Sequence, residues 1–268
     1  MPPKWLWGKT FAVYDLETDF IPTSQIYMCG VAVIAIDDKG VVTHTDSKIY
    51  TTMWTPYTNG SLMQAVTIIN SCDYNVAHNG VGFDEPEIQK HLHTELGSKT
   101  LDTLILSKII LSKDDLFAMD IALDIDKKLH GSYSLKAFGQ RLGDEKIDFT
   151  DFTEMNEEMA IYCNKDVDLT VRLFLNLIAR ENFPLENVID IEHKAAAIIA
   201  EQTKFGFYLD IDKARNLNAE LLKEKGELAR DLAKIFKPKW LKDGQVKEYK
   251  KLSKVRKYLP NTNYQYIW

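Results

Sequence analysis

The 268-residue sequence has few cysteines, no long apolar run and none of several common catalytic motifs. Cys29, Cys72 and Cys163 show no C-x-x-C spacing, so we expect reduced thiols in a cytosol rather than disulfides or a zinc site. The longest apolar runs, such as residues 31–36, are too short to cross a bilayer, and residues 1–10 show no signal-peptide pattern. The sequence contains no P-loop or dinucleotide-binding glycine motif, and nothing in it supports a Ser-His-Asp triad.

The charge of the chain is distributed unevenly. The net charge is −6, which argues weakly against a nucleic-acid-binding protein. Residues 237–268 contain nine Lys and Arg against Asp243 and Glu248, so this tail carries +7 and residues 1–236 carry −13. An acidic body is expected where carboxylates hold cations. Contact with nucleic acid must therefore be local, or must come from the tail or a partner.

The first pattern with chemical meaning follows a short apolar stretch, residues 11–14, which predicts a buried strand. Side chains in a strand alternate between faces, so Asp15 and Glu17 project together and Leu16 points to the opposite face. Two ionised carboxylates side by side repel each other, and a divalent cation with oxygen ligands commonly holds such a pair. The alternative is a solvated strand end with two exposed acids.

Two further stretches carry candidate side chains. Residues 77–86, AHNGVGFDEP, place Asp84 after a glycine-rich turn and near a helix start, since Pro86 suits a first helical turn. Residues 160–170, AIYCNKDVDLT, place Tyr162 and Asp166 four residues apart, on one face of a predicted helix.

Asp15-x-Glu17, Asp84 and Tyr162-x-x-x-Asp166, in this order, resemble the three exonuclease motifs of the Tyr subtype of the DEDD superfamily. The closer resemblance is to the N-terminal proofreading domain of T7-like phage DNA polymerases, in family A. It covers residues 10–235, and it is carried in order by residues 78–86, 101–110, 134–143, 156–167 and 191–207.

The resemblance implies an RNase H-like α/β fold, a mixed sheet flanked by helices, and 3′–5′ exonuclease activity on single-stranded DNA. It implies that two Mg²⁺ or Mn²⁺ ions are bound by the carboxylates of Asp15, Glu17, Asp84 and Asp166. These four residues and Tyr162 form the expected catalytic set. Since a phenol is a poor free base, Tyr162 is expected to orient the attacking water; the alternative is a core tyrosine. The expected partners are a DNA 3′ end and a polymerase chain, in the cytoplasm of an infected bacterial host, with no membrane association.

Substrate-binding candidates flank these residues: Leu16, Thr18, Asn79 and Phe83. Core packing is the alternative for Leu16 and Phe83, and a turn cap on its own backbone is the alternative for Asn79. Lys136 and Arg141 could meet a phosphate backbone, although solvated helix charges are the simpler interpretation.

The pattern predicts three domains or segments: the nuclease domain at 1–184, a helical segment resembling the start of a polymerase thumb at 185–236, and a basic aromatic tail at 237–268. Within the first, we expect strands at 11–17, 26–36, 41–50 and 74–77, helices at 62–70, 101–111 and 134–142, and a helix from Thr153 to about 179. Residues 112–131 are expected to be an irregular, mobile insertion.

Two alternatives to a proofreading nuclease remain open from the sequence. An exoribonuclease of the RNase D kind uses the same five residue types, and a silent scaffold of a polymerase would use none of them. The chain ends before any polymerase palm motif, so we expect a split subunit or a part of a polymerase.

Overall fold

The computed structural model describes residues 1–53, 55–144 and 149–235, and the backbone of two short strands, Lys239–Leu241 and Gln265–Ile267. The chain divides into two compact units, Met1–Phe205 and Gly206–Trp268. Apart from those two strands, the basic tail expected at 237–268 lies outside the described residues.

The first unit is built on a seven-stranded mixed sheet in the order β5-β4-β2-β1-β6-β7, with β3 also paired to β2. β2 is antiparallel to β1, β3 and β4, whereas β6 is parallel to β1 and to β7. The strands are β1 (Lys9–Thr18), β2 (Ile26–Ile36), β3 (Val42–His44), β4 (Lys48–Thr51), β5 (Gly60–Ser61), β6 (Tyr74–Ala77) and β7 (Lys99–Asp102).

The turn between β2 and β3 follows from its sequence. Asp37 accepts hydrogen bonds from the backbone N–H groups of Lys39 and Val41, both at 2.8 Å, and Gly40 takes a positive φ of 79°. The single strand expected at 41–50 is wrong, because it is divided into β3 and β4. Between them the Thr45 hydroxyl, rather than a backbone carbonyl, accepts the Val33 N–H.

Helices cover both faces of the sheet, so the unit has three layers. One face packs against α1 and α2, and the other packs mainly against α3, α5 and α6. The helices are α1 (Leu62–Ser71), α2 (Asp84–Leu92), α3 (Thr103–Ile110), α4 (Lys113–Ala122), α5 (Leu135–Arg141), α6 (Glu157–Ile178) and α7 (Glu186–Phe205).

The long helix α6 begins later than expected from the sequence. Asn156 is its N-cap, and its side chain accepts the Met159 N–H at 2.8 Å. Thr153 precedes the helix, and its N–H instead donates to the Asp151 carboxylate. The predicted start at Thr153 is therefore wrong by four residues.

The helix expected over 101–111 is in fact a strand followed by a helix. Residues 99–102 pair in parallel with β6, so they extend the sheet. The Asp102 side chain then accepts the N–H groups of Leu104 and Ile105, which starts α3 at Thr103.

Residues 112–131 are structured rather than irregular, so that expectation is also wrong. Ser112 caps α4, and Leu116 is fully buried in the core. Asp120 is also buried and forms an ion pair with Arg141, with a 2.6 Å contact to Nε, while accepting the Gly131 N–H. Arg141 therefore anchors this segment and does not face solvent or a phosphate backbone.

The first compact unit continues past residue 184, where the sequence suggested a boundary. Its last helix, α7, buries Ile189 and His193. Ile189 joins the same core cluster as residues of α3 and α6. The unit therefore includes α7, because these side chains complete its core.

The second unit contains α8 (Ile211–Ile235), which lies within the helical segment expected at 185–236, and an antiparallel pair, β8 (Lys239–Leu241) with β9 (Gln265–Ile267). In the part of the chain that the structure describes, no helix is long and apolar enough to cross a membrane.

Candidate active site

The strand β1 brings Asp15 and Glu17 to the sheet face that α6 covers. Phe11 and Val13 belong to the core cluster on that face, and Tyr14 and Leu16 belong to the cluster on the other. The alternation of a strand therefore directs Asp15 and Glu17 toward α6. Asp15 is half-buried and Glu17 is only 5% exposed, so Glu17 is not a solvated surface acid.

The helix α6 contributes Tyr162 and Asp166 to the same place. The Tyr162 hydroxyl and the Asp166 carboxylate share a hydrogen bond, and Asp166 is 3% exposed. Burial raises the pKa of Tyr162, and the negative charges of Asp166, Glu17 and Asp15 raise it further. The phenol is therefore protonated at neutral pH, and it can orient a water by hydrogen bonding.

A third side chain on α6 lies against the acidic pair. One oxygen of Asp15, one of Glu17 and the Cys163 Sγ lie within 4.8 Å of one another. Burial raises the pKa of Cys163, and the charges of Glu17 and Asp15 add to the rise. The thiol is therefore neutral, and a hard cation would take the carboxylate oxygens in preference to it.

Asp84 reaches the same strand by a different route. It is the first residue of α2, and its Oδ1 accepts the Leu16 N–H at 3.1 Å, three residues beyond the last β1–β6 pair. Burial raises the pKa of Asp84 to about 7; the Leu16 N–H opposes this rise, whereas the charges of Asp102 and Glu85 favour it. Asp84 is thus attached to the backbone between Asp15 and Glu17.

The turn before Asp84 is held by a residue that the sequence analysis did not single out. Asp102 accepts the N–H of Asn79 at 3.0 Å and that of Val81 at 3.1 Å. Asn79 adopts a left-handed φ of 72°, which asparagine tolerates better than most residues. An aspartate before an apolar helical run is an N-cap signal, and that signal could have identified Asp102.

Two aromatic side chains surround Tyr162, and the sequence analysis missed them as well. Phe149 stacks on the Tyr162 ring with centroids 5.4 Å apart, and Phe152 meets it edge-on at 6.2 Å. Both are half-buried. They fix the plane of the phenol, and no local pattern in the sequence links them to it.

The predicted substrate-binding residues have different environments. Leu16 lies in the core cluster with Tyr14 and Ile88, as its packing alternative predicted. Thr18 is buried and its hydroxyl donates to the Asp19 carbonyl at 3.3 Å. Asn79 is exposed, and Phe83 is half-buried at the N-cap of α2. Of these four residues, only Asn79 and Phe83 have solvent-exposed surface next to the turn that leads to Asp84.

The chain is similar to DNA polymerases of two phages. It is 29% identical over 205 residues to the DNA-directed DNA polymerase of Escherichia phage T7, and equally to that of Enterobacteria phage T3. Each match covers 60% of this chain and 29% of the relative, so the chain spans less than a third of the length of these curated relatives. No protein-family profile matches the chain.

Among solved structures, the family B DNA polymerase from the hyperthermophilic archaeon Pyrobaculum calidifontis is similar at 12% identity with a TM-score of 0.36. This likeness covers 74% of this chain and 29% of that one, and the TM-score is too low to establish a common fold.

Proposed function

We propose that the first unit is a metal-dependent 3′–5′ exonuclease of the DEDD type, Tyr subtype, that hydrolyses the terminal phosphodiester of single-stranded DNA. The observation that carries the proposal is the hydrogen-bonded Tyr162–Asp166 pair beside Asp15 and Glu17. An antiparallel β1–β2–β4 meander continued by parallel β6 and β7 supports an RNase H-like fold.

The side chains present fit two Mg²⁺ or Mn²⁺ ions. Asp15, Glu17, Asp84 and Asp166 supply hard oxygen ligands, three of them nearly fully buried. Buried acids in close proximity are costly to ionise, and a divalent cation would offset that cost. The ions would supply Lewis acidity at the scissile phosphate and neutralise its charge.

The chain's own residues then position the reactants. Tyr162, protonated and fixed by Phe149 and Asp166, hydrogen-bonds the attacking water and aligns it with the phosphorus. In this proposal exposed Asn79 and half-buried Phe83 contact the terminal nucleotide, Phe83 by stacking on its base. Leu16 and Thr18 support the strand end from the core.

The relatives suggest the setting in which the nuclease acts. Homology to phage DNA polymerases fits removal of misincorporated 3′ nucleotides during replication in an infected bacterial host. A polymerase, in the same or a separate chain, would be the partner.

The test uses oligonucleotides labelled at the 5′ or the 3′ end, with Mg²⁺, Mn²⁺ or EDTA. We expect stepwise shortening of the 5′-labelled strand, release of mononucleotide from the 3′-labelled strand, and no reaction in EDTA. Asp15→Ala and Asp166→Ala should lose most turnover and retain the fold, because a ligand is lost and local repulsion falls. Near-normal rates in either variant would contradict the assignment.

A matched RNA oligonucleotide decides between DNA and RNA as substrate. Faster shortening of RNA than of DNA would favour an exoribonuclease over a proofreading enzyme. The absence of cleavage of both, under every metal condition, would favour a scaffold role.

A further inference from the structure

Two buried polar residues outside the candidate active site are in contact at the edge of the sheet. Asp102 is the last residue of β7 and is 1% exposed, and His193 on α7 is 9% exposed. The Asp102 backbone N–H donates to His193 Nε2 at 2.7 Å. This contact joins α7 to the junction of β7 and α3.

The hydrogen bonds of His193 define its tautomer. Nδ1 lies 2.9 Å from the Ile189 carbonyl, which can only accept, so Nδ1 carries the proton and Nε2 is the acceptor. Burial lowers the pKa of His193, in keeping with a neutral ring. An apolar residue at position 193, or a histidine protonated on both nitrogens, would leave the Asp102 N–H without this acceptor.

The Asp102 carboxylate continues the network toward the site. It accepts the N–H groups of Asn79 and Val81, and also that of Leu104 at 2.8 Å, so it links the turn to the start of α3. The turn that contains Asn79 and Val81 is joined to α2, because the Glu85 N–H donates to the Gly80 carbonyl at 2.9 Å. Asp84 lies between these bonded residues and contacts Leu16 on β1.

We propose that His193 and Asp102 are positioning residues that hold the turn before Asp84, so that the position of Asp84 depends on α7. This inference rests on the proposed function, in which Asp84 is a metal ligand. Neither residue touches the site: His193 acts through Asp102, and Asp102 acts through the backbone of the turn.

The test uses a matched pair of variants in the full 268-residue chain. In His193→Gln, the amide oxygen can still accept the Asp102 N–H, near the position of Nε2. In His193→Asn, the shorter amide can still donate to the Ile189 carbonyl but does not reach Asp102. Lys194→Gln, at the exposed next position of α7, is the control. The readouts are amide hydrogen exchange at Asn79 and Val81, and Mn²⁺ affinity by calorimetry.

We expect His193→Asn to speed amide exchange at Asn79 and Val81 by about tenfold or more. It should also weaken Mn²⁺ binding about tenfold, as loss of a ligand's supporting partner commonly does. His193→Gln should lie within about threefold of wild type for both, since the acceptor is retained. Equal behaviour of the two variants would mean that His193 only packs α7, and would overturn the inference.

Asp102→Asn is the second variant, in case His193→Asn does not fold. This substitution keeps the volume of the side chain but turns an amide N–H toward one of the backbone donors of the turn. Amide hydrogen exchange should therefore accelerate at Asn79 or Val81. Unchanged exchange at both residues would refute the positioning role. Failure of the proposed function would show differently, as wild-type protein that neither binds Mn²⁺ nor cleaves DNA. The exchange measurements decide the positioning role in either case.

Discussion

Gly30 on β2 lies opposite Asp15 on β1 in the antiparallel register. A Cβ added to Gly30 would lie 2.7 Å from Val167 Cγ2 and 2.9 Å from Cys163 Sγ, both on α6. The lack of a side chain at Gly30 therefore allows α6 to approach the sheet beside the acidic pair. This close approach sets the distance from Tyr162 and Asp166 to Asp15 and Glu17.

Gly30→Ala should move α6 away from the sheet. We expect a loss of about 1–3 kcal/mol in the free energy of unfolding, because neither contacting atom can shift without disturbing the core. The nuclease rate should fall as well, since the two halves of the site separate. Urea unfolding and a labelled-oligonucleotide assay measure both. Gly226→Ala, where a Cβ would meet nothing within 4 Å, is the control; equal effects of the two substitutions would argue against this close approach.

Tyr162→Phe removes the hydroxyl that bonds Asp166 and keeps the ring that stacks on Phe149. We expect turnover to fall on the order of 10²-fold with little change in stability, as for other positioned proton-handling groups. Tyr27→Phe is the matched control, because its hydroxyl donates to the Thr153 carbonyl at 2.9 Å. That variant should lose about 1 kcal/mol of stability and retain its rate. If Tyr162→Phe instead loses stability at full turnover, Tyr162 is a core residue.

Arg141→Met should lower the free energy of unfolding more than any other single substitution on α5. Its partner Asp120 is fully buried, so the substitution leaves a buried charge without its cation and should cost about 3–5 kcal/mol. Adding Asp120→Leu should recover part of that loss, since both charges are then removed. Chemical denaturation of the single and double variants measures this. Lys136→Met, exposed on the same helix, should change stability by no more than about 0.5 kcal/mol.

His193 should contribute less to the stability of the first unit as the pH drops below the ordinary pKa of histidine. Burial lowers the pKa of His193 in the folded state, whereas the unfolded chain takes up a proton near pH 6.5. At this residue the unfolded state then binds more protons, which lowers the free energy of unfolding between about pH 7 and 5. Asp84, whose pKa is raised to about 7, acts in the opposite direction, so the comparison is made with a variant that lacks only the histidine. Thermal unfolding at both pH values should show that wild type loses stability relative to His193→Gln as the pH falls. An identical pH dependence of the two proteins would contradict this role of His193.

Local rules were enough for much of the sheet and for the pairs of candidate side chains. Strand alternation placed Asp15 and Glu17 on one face, and the four-residue helical spacing placed Tyr162 and Asp166 on one face; the structure has both pairs so arranged. The strands at 26–36 and 74–77 were predicted with their observed bounds. Each of these features depends on residues that are close in sequence.

Other features could not be predicted, because they depend on partners far along the chain. Residues 99–102 form a strand since β6 offers an edge to pair with, although Leu101 fits the apolar pattern of the helix that follows. Arg141 is buried because Asp120, in a segment expected to be irregular, lies against it. The neighbouring sequence does not predict that a polar residue of this kind is buried.

The sequence by itself determined which residues share a face, since that follows from the two-residue period of a strand and the 3.6-residue period of a helix. The tertiary structure alone decided that the two faces meet. The close contact of α6 at Gly30 places Cys163 beside Asp15 and Glu17, and the buried contact of α7 through His193 holds the turn before Asp84. Such contacts are decided by which long-range packing buries the most apolar surface while satisfying every buried polar group.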